Sequence, residues 1–449
     1  MNKPSVVVLG GGLSGLSTAF TLAEAGWRDI TIIERGAVTG GLAGSFEQDG
    51  RFYPLGYHHI SYRDYTLLYF FDLIGALEQV RWRKIRMLFS INGRLENLGS
   101  PLGFLRFPMK LTDKISFLRM MLKAFNKSDW SDWENRSALD LVDKWGSPGV
   151  RRALFEDLTR VKFELSCAEV SAAWLGARLY SREGSSPLGY IPGANWTKVL
   201  CEGVTQMVAE LGVRIRVRTS ITRLHSEGRR IRAAELSDGE QIRGDVFVST
   251  IPAEVYCSLV PKDETRGLSS IRYTALISVV CATRQQIDPD FYWMTIASAG
   301  STASGIFLLN SLNPTIGGLG ETVVNFMTHL QGRDRPLFRI SDDELLGRYK
   351  ADFEHIFGFE LQPFWVNITR VPMYSPVFHH EYRNPPVKSE TCENVYFAGN
   401  YRTFPSTAST GTALSSGLET GSAILRDFGQ DSKLAETAKS FRLTKMPRG

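Results

Sequence analysis

The stretch SVVVLGGGLSGLSTAFTLAEAGWRDITIIE, from Ser5 to Glu34, decides the fold. Its opening residues SVVVL are an uninterrupted β-branched and apolar run, typical of a strand buried on both faces. A helix of small and apolar residues is predicted from Leu13 to Ala25, and DITIIE at 29–34 predicts a second buried strand. A strand, a helix and a strand within about thirty residues form a β-α-β unit with parallel strands.

Glycines follow the first strand with the spacing G-x-G-x-x-G, in Gly10, Gly12 and Gly15. They meet separate demands, namely a tight turn, close approach of the backbone to a pyrophosphate, and close packing of helix against strand. The helix N-terminus at Leu13 and Ser14 then presents free N–H groups and a partial positive charge to phosphates. This spacing predicts a phosphate-binding turn.

Glu34 ends the second strand, where a carboxylate can accept hydrogen bonds from the hydroxyls of a ribose. Its charge also disfavours a 2′-phosphate on that ribose, although the neighbouring Arg35 weakens the argument. The glycine spacing alone is a weak signal, but here strand, glycines, helix and acid follow one another in register. The segment therefore predicts a dinucleotide site.

A second glycine pair and a remote strand favour a flavin over a nicotinamide. Gly40-Gly41-Leu42 follows Glu34 after a short connection, and NVYFAGN at 394–400 predicts a strand ending before a loop and a helix. In this order of elements the sequence resembles the flavin amine oxidase superfamily, which includes protoporphyrinogen oxidases, phytoene-type desaturases and amine oxidases. The resemblance implies that the cofactor is FAD.

The resemblance also implies cofactor contacts elsewhere in the chain. The segment at 190–252 resembles a stretch that lies against the adenine through backbone groups, and the helix beginning near Gly411 should direct its N-terminus at the pyrimidine edge of the flavin. Asn400 stands where amine oxidases usually carry an acid, which weakens that assignment. The predicted cofactor-binding residues are Gly10, Gly12, Leu13, Ser14, Gly15, Glu34, Arg35, Gly40, Gly41, Leu42, Gly56, Tyr57, His58, Ile221, Gly399, Asn400, Thr410, Gly411 and Thr412.

The segment at 56–60 (GYHHI) lies where this superfamily approaches the isoalloxazine ring, and it resembles the Gly-Pro-His-Ile-Phe-His element of UDP-galactopyranose mutase, a related flavoenzyme. A histidine there can hydrogen-bond the flavin or move protons at neutral pH, and the alternative is a histidine merely packed in a loop. The candidate catalytic residues are His58, His59 and Tyr401. The stretch at 406–411 lacks the aromatic residue that amine oxidases place before their last flavin-contacting glycine, which disfavours a primary amine oxidase.

We expect an α/β fold in which a discontinuous Rossmann-like FAD-binding domain carries an inserted α+β substrate-binding domain of mixed sheet and helices. The FAD-binding domain is predicted at 1–63, 192–255 and 388–430. The substrate-binding domain is predicted at 64–191 and 256–387, with helical patterning from 64 to about 164. Residues 431–449 are expected to form a frayed basic tail.

Composition and charge limit the classes of partner. The chain has 449 residues and a net charge of +5, and it has no dense run of lysine and arginine interleaved with aromatic residues, so nucleic acid is not an expected partner. Its five cysteines are far apart and form no CxxC pair, so we expect neither a metal site nor a disulfide framework. Such cysteines, and an N-terminal apolar run too short for a signal peptide, predict a cytoplasmic protein.

Two hypotheses for the activity remain. The first is an FAD-dependent oxidoreductase that takes hydride from a C–H or C–N bond of a small organic substrate, with flavin N5 as the acceptor. The second is a non-redox mutase or isomerase that uses reduced flavin on a sugar nucleotide. The basic region at 80–110 suits an anionic substrate, a peripheral membrane contact or only a solvated surface, and it comprises Arg81, Arg83, Lys84, Arg86, Arg94 and Arg106.

Overall fold

The computed structural model describes residues 3–91, 94–97, 100–181, 187–297 and 300–444, with the side chains of residues 91 and 94 left out. The strands are β1 (Val6–Leu9), β2 (Ile30–Ile33), β3 (Ser45–Gln48), β4 (Arg51–Pro54), β5 (Ile60–Ser61), β6 (Arg81–Arg83), β7 (Met87–Ile91), β8 (Arg94–Glu96), β9 (Leu188–Tyr190), β10 (Arg214–Arg216), β11 (Ile221–Glu227), β12 (Arg230–Leu236), β13 (Gln241–Arg243), β14 (Val246–Ser249), β15 (Tyr273–Thr283), β16 (Trp293–Ile296), β17 (Gly305–Leu308), β18 (Thr322–Leu330), β19 (Pro363–Pro376) and β20 (Val395–Phe397). The helices are α1 (Leu13–Glu24), α2 (Tyr65–Leu73), α3 (Pro101–Arg106), α4 (Leu111–Phe125), α5 (Ala138–Trp145), α6 (Pro148–Val150), α7 (Glu156–Phe163), α8 (Ala172–Ser181), α9 (Trp196–Glu210), α10 (Ala253–Leu259), α11 (Leu309–Leu312), α12 (Asp342–Phe357), α13 (Thr410–Asp427) and α14 (Leu434–Ser440).

The first sheet is parallel throughout and has the strand order β10-β2-β1-β14-β20. Alternate residues of its central strand enter different cores: Val6 and Val8 pack with α1, α9 and α13, whereas Val7 and Leu9 pack on the opposite side. Burial on both faces explains why β1 is an unbroken apolar run. The predicted Rossmann-like fold is therefore confirmed.

A seam of small residues holds α13 against α1. Ser14 Oγ donates to the Ala413 carbonyl oxygen at 2.8 Å, and a Cβ atom at Gly417 would lie 2.3 Å from the carbonyl oxygen of Ser14. The two helix backbones can approach this closely only because glycine has no side chain. The seam brings the C-terminal segment next to the N-terminal glycine turn.

The second sheet has the order β19-β15-β18-β17-β16-β7-β8 and joins distant parts of the chain. Strand β7 pairs in parallel with β16, so residues from 87–96 and 273–376 share one sheet. Helix α12 covers one face, where Tyr349 stacks on Phe326. Side chains on the other face include Leu276 and Met327, which would be the nearest neighbours of a Cβ atom on Gly56.

Two predictions about local structure were wrong. The region at 64–164 contains strands β6, β7 and β8 as well as helices, because pairing with the distant β9 and β16 overrides the local helical pattern. The segment after residue 431 forms α14, whose Ala438 is buried, and the Arg442 guanidinium lies 3.6 Å from the centre of the Tyr65 ring. Within the described residues, no helix is both long enough and apolar enough to cross a bilayer.

Candidate active site

The glycine turn lies at the carboxyl end of β1. Gly10 has a φ of 105°, and a Cβ atom there would lie 2.7 Å from Thr250 Oγ1. A Cβ atom at Gly15 would lie 2.2 Å from the Gly10 carbonyl oxygen, so only glycine lets α1 pack this close to the strand. At Gly12 the nearest atom to a Cβ would be 4.0 Å away, which leaves the backbone open on that side.

A second glycine turn packs against the first. The Gly40 N–H donates to the Gly11 carbonyl oxygen at 2.9 Å, and a Cβ atom at Gly41, whose φ is 56°, would lie 3.3 Å from Gly12 Cα. Leu42 follows and is exposed. The two glycine turns therefore line the same open space at the carboxyl end of β1.

The N-terminus of α1 fits a pyrophosphate. The helix starts after Gly12 without a side-chain cap and without an acid in its first turn, whereas serines cap α5, α12 and α13. The side chain of Leu13 is buried in the core and that of Ser14 bonds to α13, so only the backbone of this turn faces outward. First-turn N–H groups and the helix dipole together favour an anion here.

Glu34 lies at the end of β2 beside this turn. Its Oε2 accepts from the Gly11 N–H at 2.8 Å and its Oε1 accepts from the Gly36 N–H at 2.5 Å, which fixes the carboxylate at the edge of the site. Arg35 next to it is exposed. The Thr219 N–H donates to the Glu34 carbonyl oxygen at 2.9 Å, so the start of β11, where Ile221 lies half-buried, is joined to the same edge.

The C-terminal strand brings Gly399, Asn400 and Tyr401 to the same end of the sheet. The Gly399 N–H donates to Ser416 Oγ at 3.0 Å, and Asn400 Nδ2 donates to the Tyr374 carbonyl oxygen at 3.0 Å. Tyr401 is only 1% exposed and its hydroxyl donates to the Ser249 carbonyl oxygen at 3.1 Å. This burial and this hydrogen bond give Tyr401 a packing role in the core.

The N-terminus of α13 is capped by its own residues. The Thr412 N–H donates to Ser409 Oγ at 3.2 Å, and the Ser409 N–H donates to Thr412 Oγ1 at 2.8 Å. Thr410 and Gly411 are buried, and a Cβ atom at Gly411 would lie 1.7 Å from Asp64 Oδ1. The structure therefore places an unexpected carboxylate, that of Asp64, against the start of this helix.

The histidine loop connects the glycine turns to the second sheet. His58 Nε2 lies 3.2 Å from the Leu42 carbonyl oxygen, and Trp196 Nε1 donates to the His58 carbonyl oxygen at 3.3 Å. Burial lowers the pKa of His58 to about 4, although the bond to Leu42 opposes this shift. His58 is therefore neutral at pH 7. Because Nε2 must donate to the carbonyl, Nδ1 is left as an acceptor.

The other side chains of this loop lie among aromatic residues of the second sheet. The Tyr57 ring stacks on Phe307 with centres 4.1 Å apart and planes at 11°, and it lies 5.5 Å from Trp293. The His59 ring is 6.1 Å from the Trp293 ring and 6.2 Å from the Tyr292 ring. We call these packed rings the aromatic wall.

Cationic side chains stand at the edge of this wall. Lys162 Nζ donates to His329 Nε2 at 3.2 Å and lies 5.3 Å from the centre of the Tyr374 ring. The Arg178 guanidinium lies 5.6 Å from the centre of the Trp293 ring. We call Lys162, Arg178, His329 and Tyr374 the basic cluster. The carbonyl oxygen of Tyr374 also accepts the hydrogen bond from Asn400 Nδ2, so the basic cluster adjoins the C-terminal strand.

His329 is the informative member of the basic cluster. Its side chain is 8% exposed, and burial together with the charges of Lys162 and Arg178 lowers its pKa well below 6.5. A lysine ammonium only donates, so Nε2 accepts and the neutral ring carries its proton on Nδ1. Within the described residues, Nδ1 has no hydrogen-bond partner. A buried N–H, at the ring edge opposite Lys162, is thus directed at an acceptor that the described part of the chain does not supply.

The sequence alone does not identify His329 or Lys162 as site residues. The residues of the basic cluster come from α7, α8, β18 and β19, which meet only in the folded chain. None of them belongs to a local motif. A lone histidine in an alternating strand carries no signal that separates a site residue from a core residue.

The comparisons with known proteins agree with this architecture. A family model described as flavin containing amine oxidoreductase matches residues 13–425. The 15-cis-phytoene desaturases of Solanum lycopersicum and Capsicum annuum are 26% and 25% identical over 286 residues, which are 58% of this chain and 48% and 49% of theirs. The chain thus spans about half the length of the curated relatives it matches.

Solved structures extend the likeness over nearly the whole chain. A reduced UDP-galactopyranose mutase has a TM-score of 0.73 at 13% identity, covering 98% of this chain and 100% of its own. A putrescine oxidase bound to putrescine has a TM-score of 0.71 at 13% identity, covering 94% and 99%. At these identities the likeness establishes the fold. With the family match over most of the chain and glycine turns that suit a dinucleotide, the protein belongs to the flavin containing amine oxidoreductase family and its cofactor is FAD.

Proposed function

We propose that the protein is an oxidoreductase that removes hydride, in a desaturation or dehydrogenation, from a C–H bond of a small organic substrate with an anionic group. The observation that carries this proposal is the basic cluster beside the aromatic wall. When bound, FAD supplies the hydride acceptor at its N5 atom. The protein supplies the orientation of the substrate and a place from which water is excluded.

The aromatic wall suits the apolar part of the substrate. Phe307 and Trp293 are buried, whereas Tyr57, which stacks on Phe307, is partly exposed and offers its ring as apolar surface. A planar or unsaturated carbon skeleton can lie against such rings with offset stacking. The wall adjoins His58, whose free Nδ1 can accept a hydrogen bond from an O–H or N–H group.

The basic cluster suits the anionic group. The Lys162 ammonium and the Nδ1–H of His329 are both donors, and the Arg178 charge lies on the same side of the wall. The two donors lie at opposite edges of the imidazole, so a carboxylate or phosphate would accept a charge-assisted hydrogen bond from Lys162 while a second acceptor of the substrate accepts from the Nδ1–H of His329. A cationic amine would be repelled by Lys162 and Arg178 in this partly buried place, so we do not expect an amine substrate of the putrescine type.

His58 positions groups in this proposal and does not carry protons. A base with a pKa of about 4 is almost wholly deprotonated at pH 7 and gives little driving force for taking up a proton. This differs from the expectation that the histidine loop moves protons at neutral pH. The hydrogen bond from Nε2 to Leu42 instead holds the imidazole in one orientation.

The second candidate function is a non-redox mutase on a sugar nucleotide. The histidine loop motivates it, and the basic cluster would serve a phosphate as well as a carboxylate. The two functions differ in what happens to the flavin. An oxidoreductase passes electrons to it in every turnover, whereas a mutase needs reduced flavin and leaves its redox state unchanged.

One anaerobic titration separates the two functions. The FAD-loaded protein is mixed with unsaturated or saturated carboxylic acids, with sugar nucleotides and with aliphatic amines, and the visible flavin absorbance is followed. We expect bleaching by a carboxylate-bearing substrate and none by amines. Turnover of a sugar nucleotide only after prior reduction, with constant absorbance, would establish the mutase. Bleaching by a cationic amine alone would contradict the role of the basic cluster.

A further inference from the structure

We propose that the surface formed by α3 and α4 docks the protein on an anionic lipid bilayer. Six large apolar side chains on this surface are between 51% and 69% exposed. Folded proteins that stay free in water rarely leave a patch of this kind uncovered. We call these residues the leucine face: Leu102, Leu105, Leu111, Ile115, Leu118 and Leu122.

The leucine face is one continuous side of two packed helices. On α4 its members recur at 111, 115, 118 and 122, the spacing of a single helical stripe. The opposite side of α4 is the buried one, where Met120 and Ala124 join the core. Helix α3 is held to α4 by the Phe104 and Phe117 rings, whose centres are 5.7 Å apart.

The charges around the leucine face are almost all positive. Residues 101–127 carry six lysines and arginines and one acid, Asp113, whose Oδ1 accepts from Ser147 Oγ at 2.7 Å. This short segment thus holds an excess of positive charge equal to the +5 of the whole chain. Four of these cations are exposed beside the leucine face, namely Arg106, Lys110, Arg119 and Lys123.

Charge complementarity selects a bilayer as the partner. A second copy of this chain would bring two positive surfaces together, which costs free energy at an interface. Anionic head groups neutralise the same cations, while leucine side chains enter the boundary between head groups and acyl chains. Apolar residues on one side of a helix with lysine and arginine flanking them are the pattern of a helix that lies in a membrane surface.

The test is vesicle flotation of the full-length, FAD-loaded protein. Phosphatidylcholine vesicles with about 30% phosphatidylglycerol should carry the protein to the top of the gradient, and pure phosphatidylcholine should bind it ~10-fold more weakly. The leucine variant L111Q/L118Q/L122Q should bind the anionic vesicles ~100-fold more weakly. Its matched control, V38Q/L319Q/F364Q, removes exposed apolar residues elsewhere and should bind like the unaltered protein.

A charge variant tests the second half of the proposal. R106Q/K110Q/R119Q/K123Q should lose ~10-fold in binding and most of the dependence on salt. Four exposed cations on other surfaces provide the control, R243Q/K262Q/R266Q/R426Q, which should change binding little. All substituted side chains are exposed, so flavin absorbance and Tm should be retained in every variant.

Three results would overturn the proposal. The unaltered protein could fail to float with anionic vesicles, or the leucine variant could float as well as its control. The third result is a dimer of the unaltered protein in analytical ultracentrifugation, a monomer for the leucine variant, and no binding of either to vesicles. That result would assign the leucine face to contact with a second copy of the chain. Flotation measures binding alone, so it is independent of whether the proposed reaction is correct.

Discussion

The two sides of the active site are built in different ways. The glycine turns at the end of β1 use backbone atoms from short, contiguous motifs, in which space for a Cβ atom decides which residue fits. The opposite side uses side chains from four separate elements, with Lys162 and His329 brought together from 167 residues apart in the chain. Changes of shape should therefore affect the first side, and changes of charge the second.

The largest effect is expected from Gly15→Ala, which tests the backbone side. The new Cβ atom would lie 2.2 Å from the Gly10 carbonyl oxygen, so the turn or the helix must move. We expect FAD affinity to fall ~1,000-fold or more, since both glycine turns and the α1 N-terminus would lose their alignment. The loss of affinity is measured in two ways, as the flavin content of the purified protein and by titration of the apoprotein with FAD.

Gly347→Ala is the matched control for this substitution. Gly347 lies within α12, where a Cβ atom would meet nothing within 4 Å. Alanine there should leave FAD binding unchanged and raise the free energy of unfolding by roughly 0.5–1 kcal/mol. Full flavin content in the Gly15→Ala protein would show that the turn is not the phosphate site.

The second effect in size is expected from Lys162→Met, which tests the side-chain side. Methionine keeps much of the length and removes the charge that His329 and the substrate anion share. We expect kcat/KM for an anionic substrate to fall ~100-fold, mostly through KM, because a charge-assisted hydrogen bond is lost. Flavin content should stay unchanged.

Lys198→Met is the control for the lysine charge. Lys198 lies on α9, outside the basic cluster, and its ammonium is 4.1 Å from the centre of the Phe52 ring. Steady-state kinetics with an uncharged analogue of the substrate complete the comparison, since that analogue should not distinguish Lys162→Met from the unaltered protein. Equal losses for charged and uncharged substrates would remove the basic cluster from substrate binding.

The same contrast explains what the sequence could reveal. The run from Ser5 to Glu34 predicts β1, α1 and β2 because each signal is local, and the 394–428 pattern likewise predicts β20 and α13. The cluster of Lys162 and His329 could not be predicted, because only the pairing and packing of distant elements brings them together. Strands β6 and β7 were missed for that reason too, since their partners β9 and β16 lie far along the chain.

A third prediction concerns His58, which lies between the two sides. Its pKa is about 4 in the folded chain and 6.5 when unperturbed, so the unfolded chain binds the proton more readily. The stability due to neutral His58 is complete above pH 6.5 and is lost as the pH falls towards 4. His58→Gln should reduce this pH dependence by about 2 kcal/mol, because solvent still reaches part of the imidazole and screens its charge.

Urea unfolding at several pH values between 4 and 7 measures this effect at constant flavin content. His355→Gln, at an exposed position on α12, is the matched control for the substitution. If His58→Gln and the unaltered protein lose stability in parallel below pH 6.5, the imidazole is not desolvated. In that case His58 would be able to carry protons near neutral pH, as the sequence had suggested.

The smallest effect is expected from Tyr401→Phe, which asks whether Tyr401 belongs to either side of the site. Its hydroxyl donates to the Ser249 carbonyl oxygen in the core. Phenylalanine keeps the ring and removes that one bond, so the free energy of unfolding should fall by about 1 kcal/mol with kcat unchanged. Tyr382→Phe removes the neighbouring bond to the Tyr401 carbonyl oxygen and should behave alike. A large fall in kcat for Tyr401→Phe alone, at full flavin content, would return Tyr401 to the chemistry, because a buried packing residue affects stability and not the rate of the reaction.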